Sequence, residues 1–377
     1  MKIALFGGSF DPVHNEHIEY IKAAKEALSL DKVLVIPSYV APHKEGGATA
    51  SGEDRLNMCR IALQDLAYAE VCDFELSRKE KSYTYITAEH FAKEYRGDEL
   101  YFLVGADMLE DFFTWKYPER ILAAARLVAC SRGQDSASNL HEAFKERFLT
   151  DYIEIPFTGE EVSSSEIRVR LAFGKESKCL DQRVAQYVEE RGLYHYPEIA
   201  PALALEKAER REHSFRVALM AVARARSLHV PESQAMLAAA LHDCGKYVPP
   251  DSPLLEGFVS PENVPAPVMH QYTGAYLAEH HFGIQDEEIL DAIRFHTSGK
   301  EDMTPLGKLI YLSDMLESGR NYNGVEELRK VFWRDLDKCL LLCLERQIAY
   351  LEEKESDANS VYFLTKQAYK WAKGQRT

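Results

Sequence analysis

Gly7-Gly8-Ser9-Phe10-Asp11-Pro12-Val13-His14-Asn15-Glu16-His17 follows a strand-like run, Lys2–Phe6, and leads into an apolar stripe of helical spacing over His17–Leu28. Glycines at a strand end let the backbone come close to a phosphate. The helix start beyond them offers unpaired N–H groups and the positive end of a dipole. His14 and His17 are three apart, so their imidazoles project to one side of a first helical turn. That pair can stabilise charge developing on a transferring phosphoryl group. Taken alone, the stretch also reads as a tight turn with two surface histidines.

Working outward, short apolar runs recur at Lys32–Pro37, Val71–Leu76, Tyr101–Val104, Leu127–Cys130 and Tyr152–Pro156. Helical patterns separate them, among them Asp54–Leu66 and Thr84–Tyr95. Strands alternating with helices imply an α/β domain with a mostly parallel sheet covered on both faces, and ligands beyond the carboxyl ends of its strands. Pro197 and Pro201, with small and polar neighbours, mark a boundary. Beyond it the strand pattern disappears. Ala202–Ser227, Pro231–His242, Ala266–Phe282, Asp286–His296, Pro305–Leu316 and Leu336–Ala372 read as helices. The expected organisation is therefore an α/β domain over 1–196 and an all-α domain over 197–377.

The 377 residues are a natural length for two domains. Seven scattered cysteines with no Cys-x-x-Cys pair argue for a reducing compartment and against a disulfide framework or structural zinc site. The beginning shows no secretion signal, and no apolar run approaches the length that crosses a bilayer. The expectation is a cytoplasmic protein without membrane contact. A net charge of −15 repels nucleic-acid backbones, which argues against DNA or RNA as partners. The sequence leaves oligomeric state open.

A second segment, Val162-Ser163-Ser164-Ser165-Glu166-Ile167-Arg168, opens a helix after the last expected strand. Ser163 and Glu166 have capping-box spacing. Three hydroxyls and an arginine at a helix start also suit a polyphosphate. Together the two segments resemble the nucleotidyltransferase motifs G-G-x-F-D-P-x-H-x-G-H and I-S-S-T-x-I-R. Pro42-His43-Lys44, Ser82-Tyr83-Thr84, Gly105-Ala106-Asp107-Met108 with Trp115, and Tyr187…Arg191-Gly192-Leu193-Tyr194 extend the likeness over 1–196, toward the bacterial nicotinate-nucleotide adenylyltransferases.

That resemblance implies a Rossmann-like nucleotidyltransferase that moves the adenylyl group of ATP, accompanied by Mg²⁺, onto the 5′-phosphate of nicotinate mononucleotide. It implies that Gly7, Gly8, Ser9, Phe10, His14 and His17 line the phosphate path. Ser164, Ser165 and Arg168 would hold the triphosphate, with Lys44 as a further cation. Gly105 and Asp107 would bracket the nucleotide, and Trp115 would stack on the pyridine ring near Tyr83 and Thr84. Two positions depart from the pattern: Glu16 stands for Gly, and Ser165 for Thr.

In the helical half, His242-Asp243 can offer an imidazole and a carboxylate to one divalent metal, and Gly245 suits a helix stop. His213, His270, His296 and Asp314 lie on other expected helices. The six follow the ligand order of the HD superfamily. The contexts Glu212-His213-Ser214, Ala239–Asp243, Arg294–Gly299 and Tyr311–Arg320 resemble HD-type symmetrical diadenosine tetraphosphatases (the YqeK type) across about 202–372. By that resemblance His213, His242, Asp243 and Asp314 hold a first metal, with iron favoured, while His270 and His296 serve a second metal or the phosphates. Lys246 and Arg320 would meet phosphate oxygens. Two alternatives stay open: the HD half senses nucleotides and regulates its neighbour, or it hydrolyses another nucleotide.

Overall fold

Ile3–Leu5 are wholly buried, so the first strand is apolar on both faces, as a strand inside a covered parallel sheet requires. The computed structural model describes residues 1–39, 49–131, 137–157, 159, 162–355 and 361–375. The strands are β1 (Lys2–Gly8), β2 (Lys32–Pro37), β3 (Ala69–Val71), β4 (Glu99–Val104), β5 (Arg126–Ser131) and β6 (Ile153–Pro156). They form one sheet in the order β3-β2-β1-β4-β5-β6, with every neighbouring pair parallel. The chain winds outward from β1 to β3, then crosses back to β4 on the other side of β1. The switch point therefore lies between the carboxyl ends of β1 and β4, where such sheets bind ligands.

The expected α/β architecture is present, with one local correction. Val71–Leu76 is not a strand: β3 ends at Val71, and Phe74–Arg78 is a short helix. A short apolar run does not distinguish the two by periodicity. Asp73 stands at the N-cap of that helix, whose first turn buries Glu75; Glu75 Oε1 accepts a 2.6 Å hydrogen bond from Thr87 Oγ1.

The chain divides into two compact units, one of Met1–Arg168 with Ser177–Tyr194, the other of Val169–Glu176 with His195–Thr377. The helices that carry site residues are α1 (Asn15–Leu28), α2 (Ser164–Ala172), α3 (Ala208–Ala225), α4 (Glu232–Leu241), α5 (Met269–His280), α6 (Glu287–Arg294) and α7 (Pro305–Leu316). The second unit is helical throughout its described residues, around a core that includes Val217, Leu241, Ile293, Leu309 and Leu344. Leu336–Ala372 is two helices, Leu336–Glu355 and Phe363–Gly374. Residues 356–360, between the two, lie outside the described residues. A further helix, Val325–Arg334, buries Val325, Leu328 and Phe332, a 3-4 spacing that the sequence reading passed over. Among the described residues no helix is long and apolar enough to cross a membrane. No disulfide joins any of the seven cysteines.

Candidate functional site

In the first unit, β1 ends in Gly7-Gly8. A Cβ on Gly8 would lie 2.9 Å from Phe10 Cζ, so the ring of Phe10, itself at φ 46, covers a position that only glycine fits. Phe10 stands edge-on to His17 with centroids 5.1 Å apart. His14 caps α1, and its ring lies 3.7 Å from that of His17, so the two imidazoles do meet. His17 Nδ1 accepts the backbone N–H of His14 at 3.2 Å.

His14 is 7% exposed and its Nδ1 has no hydrogen-bond partner among the described residues. Burial pushes its pKa down to about 4. Between pH 4 and the ordinary value of about 6.5, the unfolded chain binds a proton that the folded chain refuses. Stability of the first unit is therefore expected to fall as pH drops through that window, by about 2 kcal/mol at pH 5 from this group alone. Urea unfolding of the wild type and His14→Gln at pH 7.5 and 5 checks it. The wild type should lose more stability by that amount, and equal losses would refute it.

The serine-arginine segment is clamped onto the glycine loop. Ser164 Oγ donates to the carbonyl of Pro12 at 3.0 Å. Arg168, 5% exposed, donates to the carbonyl of Asp11 and, at 2.8 Å, to Ser165 Oγ. Asp11 itself is buried. Its carboxylate lies 3.7 Å from Arg168 Nη1 and accepts the backbone N–H groups of Thr49 (2.7 Å) and Ala50 (3.0 Å) and the hydroxyl of Tyr194 (2.8 Å). Arg55, also buried, donates to the carbonyls of Ser9 (2.7 Å) and Ala50 (3.3 Å). The roles of Asp11, Arg55 and Tyr194 went unrecognised in the sequence, where nothing pairs them. The Glu166 backbone N–H bonds Ser163 Oγ at 3.1 Å, as capping-box spacing suggests.

Gly105 caps the helix Ala106–Asp111 directly after β4, so it and Gly7-Gly8 flank the switch point. Tyr83 precedes the helix Thr84–Glu94, and Lys116 Nζ sits 4.3 Å over its ring. The neighbouring Trp115 is half-buried against Phe112, with its Nε1 unpartnered among the described residues. Glu16 Oε2 lies so close to Gly159 that a Cβ there would sit 1.7 Å from it. Lys44 and the side chain of Asp107 fall outside the described residues.

In the second unit, the six expected ligands converge from five segments. His213 comes from α3, His242 and Asp243 follow α4, His270 is on α5, His296 follows α6 and Asp314 is on α7. Ligand atoms of His213, His242 and Asp243 lie within 4.8 Å of one another, and those of Asp243, His270 and His296 do likewise. Asp243 is therefore common to two trios. Asp314 Oδ1 stands 2.8 Å from His213 Nε2 and 4.0 Å from His242 Nε2. The Nε2 atoms of His213 and His242 are buried and make no aligned hydrogen bond among the described residues. Buried lone pairs converging on carboxylates are a donor set that fits a divalent cation.

Gly245 was expected as a helix stop, but its place is set by crowding. A Cβ there would lie 2.4 Å from the backbone nitrogen of Gly274 and 2.5 Å from Thr273 Oγ1. Its absence lets α5 pack against the His-Asp turn. Cations stand on the acids: Lys246 Nζ is 3.1 Å and Arg210 2.9 Å from Asp243, and Arg320 is 2.7 Å from Asp314. Arg210 was not singled out in the sequence; it lies one helical turn before His213. Burial pushes the Asp243 carboxyl up, but His242, His270 and His296 outweigh it and hold it well below the usual range. Asp314 is likewise held down by His213, His242 and Arg320 against its burial. Burial lifts Glu206, beside Asp243, to about 8.

These two sites, on this pair of folds, define a nucleotidyltransferase joined to an HD-type metal-binding unit. A cytidylyltransferase-like family model matches residues 5–170 and an HD domain model matches 210–319. A Mycoplasma pneumoniae protein named probable nicotinate-nucleotide adenylyltransferase/Ap4A hydrolase is 30% identical over 320 residues, covering 84% of this chain and 88% of its own. The Mycoplasma genitalium protein of the same name is 28% identical over 356 residues, 91% and 97% of the two chains. A probable nicotinate-nucleotide adenylyltransferase of Clostridium tetani is 36% identical over 197 residues, 51% of this chain and 98% of its own. The chain belongs to the nicotinate-nucleotide adenylyltransferase/Ap4A hydrolase family.

Proposed function

We propose that the chain is bifunctional: it adenylylates nicotinate mononucleotide with ATP, and it hydrolyses diadenosine tetraphosphate symmetrically to two ADP. The observation that carries this is the match along most of the chain to relatives named for both activities, beside a His/Asp cluster able to hold a metal.

In the first reaction a 5′-phosphate oxygen of nicotinate mononucleotide attacks the α-phosphorus of ATP. The bond to the β-phosphate breaks and pyrophosphate leaves with its electron pair. No covalent enzyme intermediate is needed, so positioning and electrostatics do the work. His14 and His17, at the mouth of α1, face the transferring group. Ser164, Ser165, Arg168 and Lys44 hold the triphosphate, which ATP brings with its Mg²⁺. Gly7, Gly8, Ser9 and Phe10 shape the path, Gly105 and Asp107 bracket the nucleotide, and Trp115 with Tyr83 and Thr84 receives the nicotinate ring.

In the second unit His213, His242, Asp243 and Asp314 would hold a divalent metal, iron by preference, and His270 and His296, which meet Asp243, would serve a second metal or the phosphates. A bound metal supplies Lewis-acid polarisation and lowers the pKa of water. Water adds at one of the two central phosphorus atoms, the bridge between those two phosphates breaks with its electron pair leaving on the departing ADP, and the proton lost by the water balances that ADP, giving two ADP. Lys246 and Arg210, paired with Asp243, and Arg320, paired with Asp314, are the cations beside this cluster that would meet phosphate oxygens. Cysteines without disulfides suit the cytoplasm as the place of both reactions.

The test is the full chain assayed with ATP and either the acid or the amide mononucleotide, and with diadenosine tetraphosphate under Fe²⁺ or Mn²⁺ in reductant. Expected are deamido-NAD formation with preference for the acid, and ADP as sole nucleotide product of hydrolysis. AMP plus ATP would place the attack at another phosphate. Saturable nucleotide binding without turnover under any metal would make the helical unit a sensor.

A further inference from the structure

Each of three histidines in the metal site has its Nδ1 held by an acceptor. For two, the acceptor is the carbonyl three residues back on the same chain: Ala239 for His242 (2.7 Å) and Ile293 for His296 (2.8 Å). Both follow the last turn of a helix, where carbonyls lack an intrahelical partner. His213 cannot use that device. It lies in the middle of α3, where carbonyls are spent on the helix itself. Its Nδ1 instead lies 3.1 Å from Oε1 of Glu317, which directly follows α7.

Glu317 is set up for this contact. It is 2% exposed, and its other oxygen accepts from Arg216 Nε and from the backbone N–H of Gly319, both at 2.5 Å. Arg216 is one turn beyond His213 on α3, so Glu317 grips the helix at two points. Asp314, one turn before Glu317, meets the opposite nitrogen of the same imidazole at 2.8 Å. An ionised carboxylate only accepts hydrogen bonds, so with Nε2 and Asp314 both given to a metal the proton of a neutral His213 stays on Nδ1, where Glu317 accepts it.

We propose that Glu317 is the positioning residue of the metal centre, fixing the tautomer and orientation in which His213 presents Nε2 to the metal. This rests on the metal reading of the second unit. Carboxylates behind ligating imidazoles contribute about 10–100-fold in metal affinity.

The test is Mn²⁺ titration of the full chain without nucleotide, following the free-ion EPR signal, for wild type, Glu317→Ala and Glu317→Gln. Thermal unfolding in chelator is measured alongside. Glu317→Ala is expected to weaken Mn²⁺ binding about 10–100-fold. Glu317→Gln, which keeps an acceptor oxygen for Nδ1–H, is expected to recover part of that loss. Unchanged affinity in both variants overturns the proposal while leaving the metal site intact. So does a Glu317→Ala chain that loses thermal stability in chelator yet binds Mn²⁺ as tightly as wild type. A wild type that binds no Mn²⁺ removes the metal reading, and the proposal with it.

Discussion

Asp243→Asn is expected to lower diadenosine tetraphosphate hydrolysis at least about a thousandfold, while adenylyl transfer by the same preparation stays within a factor of about two. Asp243 is the one ligand common to both trios and is 1% exposed. Asparagine keeps its shape but removes the charge that a divalent cation needs at that junction. A metal's contribution to a phosphoryl-transfer transition state is several kcal/mol, and each 1.36 kcal/mol is tenfold in rate. Metal content measured on the purified variant should fall in parallel. The substitution also leaves Lys246 and Arg210 facing a neutral amide, so nucleotide affinity should survive better than turnover. Hydrolysis within tenfold of wild type would show that the reaction does not pass through this cluster. A parallel loss of adenylyl transfer would instead mean that the chain had misfolded.

What the sequence made legible was local. Gly7-Gly8 to His17 reads as strand, turn and helix start because each signal sits within a few residues of the next, and the structure brings the two histidines together as their spacing implied. The six HD-pattern residues were legible for another reason: each lies on or beside a helix that the sequence led one to expect, and their order along the chain resembles a known ligand order. Contacts between distant residues were not legible. Tyr194 meets Asp11 across 183 positions and Glu317 meets His213 across 104, and no spacing rule encodes either. Nothing in the helical pattern Asp54–Leu66 sets Arg55 apart, yet it is 2% exposed and bonded to the carbonyl of Ser9 in the glycine loop. Gly245 shows the same limit. A glycine after a helix suggests a stop by local rules, whereas the crowding that requires it comes from α5, some thirty residues on. Short elements failed where period is weakest, at Val71–Leu76, and a ten-residue helix escaped notice at Val325–Arg334, where five charged residues interleave with five apolar ones.

Arg168→Ala is expected to remove adenylyl transfer and, separately, to destabilise the first unit by about 3 kcal/mol. The motif resemblance gives this arginine a triphosphate to hold, but in the structure its guanidinium is buried against Asp11 and Ser165. Removing it leaves the Asp11 carboxylate, 2% exposed, without its nearest cation. The loss sits toward the lower end of what breaking a buried pair costs, because Tyr194 and the backbone N–H groups of Thr49 and Ala50 still serve that carboxylate. Arg168→Lys should recover some stability through charge, but little activity, since an ammonium cannot span Asp11 and Ser165 as a fork does. Catalytic loss follows from the geometry: without the clamp, α2 no longer holds Ser164 against the carbonyl of Pro12, two residues before His14, and a displacement of about an ångström costs on the order of a hundredfold in rate. Urea unfolding followed by first-unit fluorescence, with kcat and KM for ATP on the same samples, separates the two roles. If Arg168→Ala unfolds at the wild-type urea concentration and changes only KM for ATP, the arginine is a substrate ligand and the clamp holds without it. A joint fall in stability and kcat assigns it first to the architecture that holds the start of α2 against the glycine loop before α1.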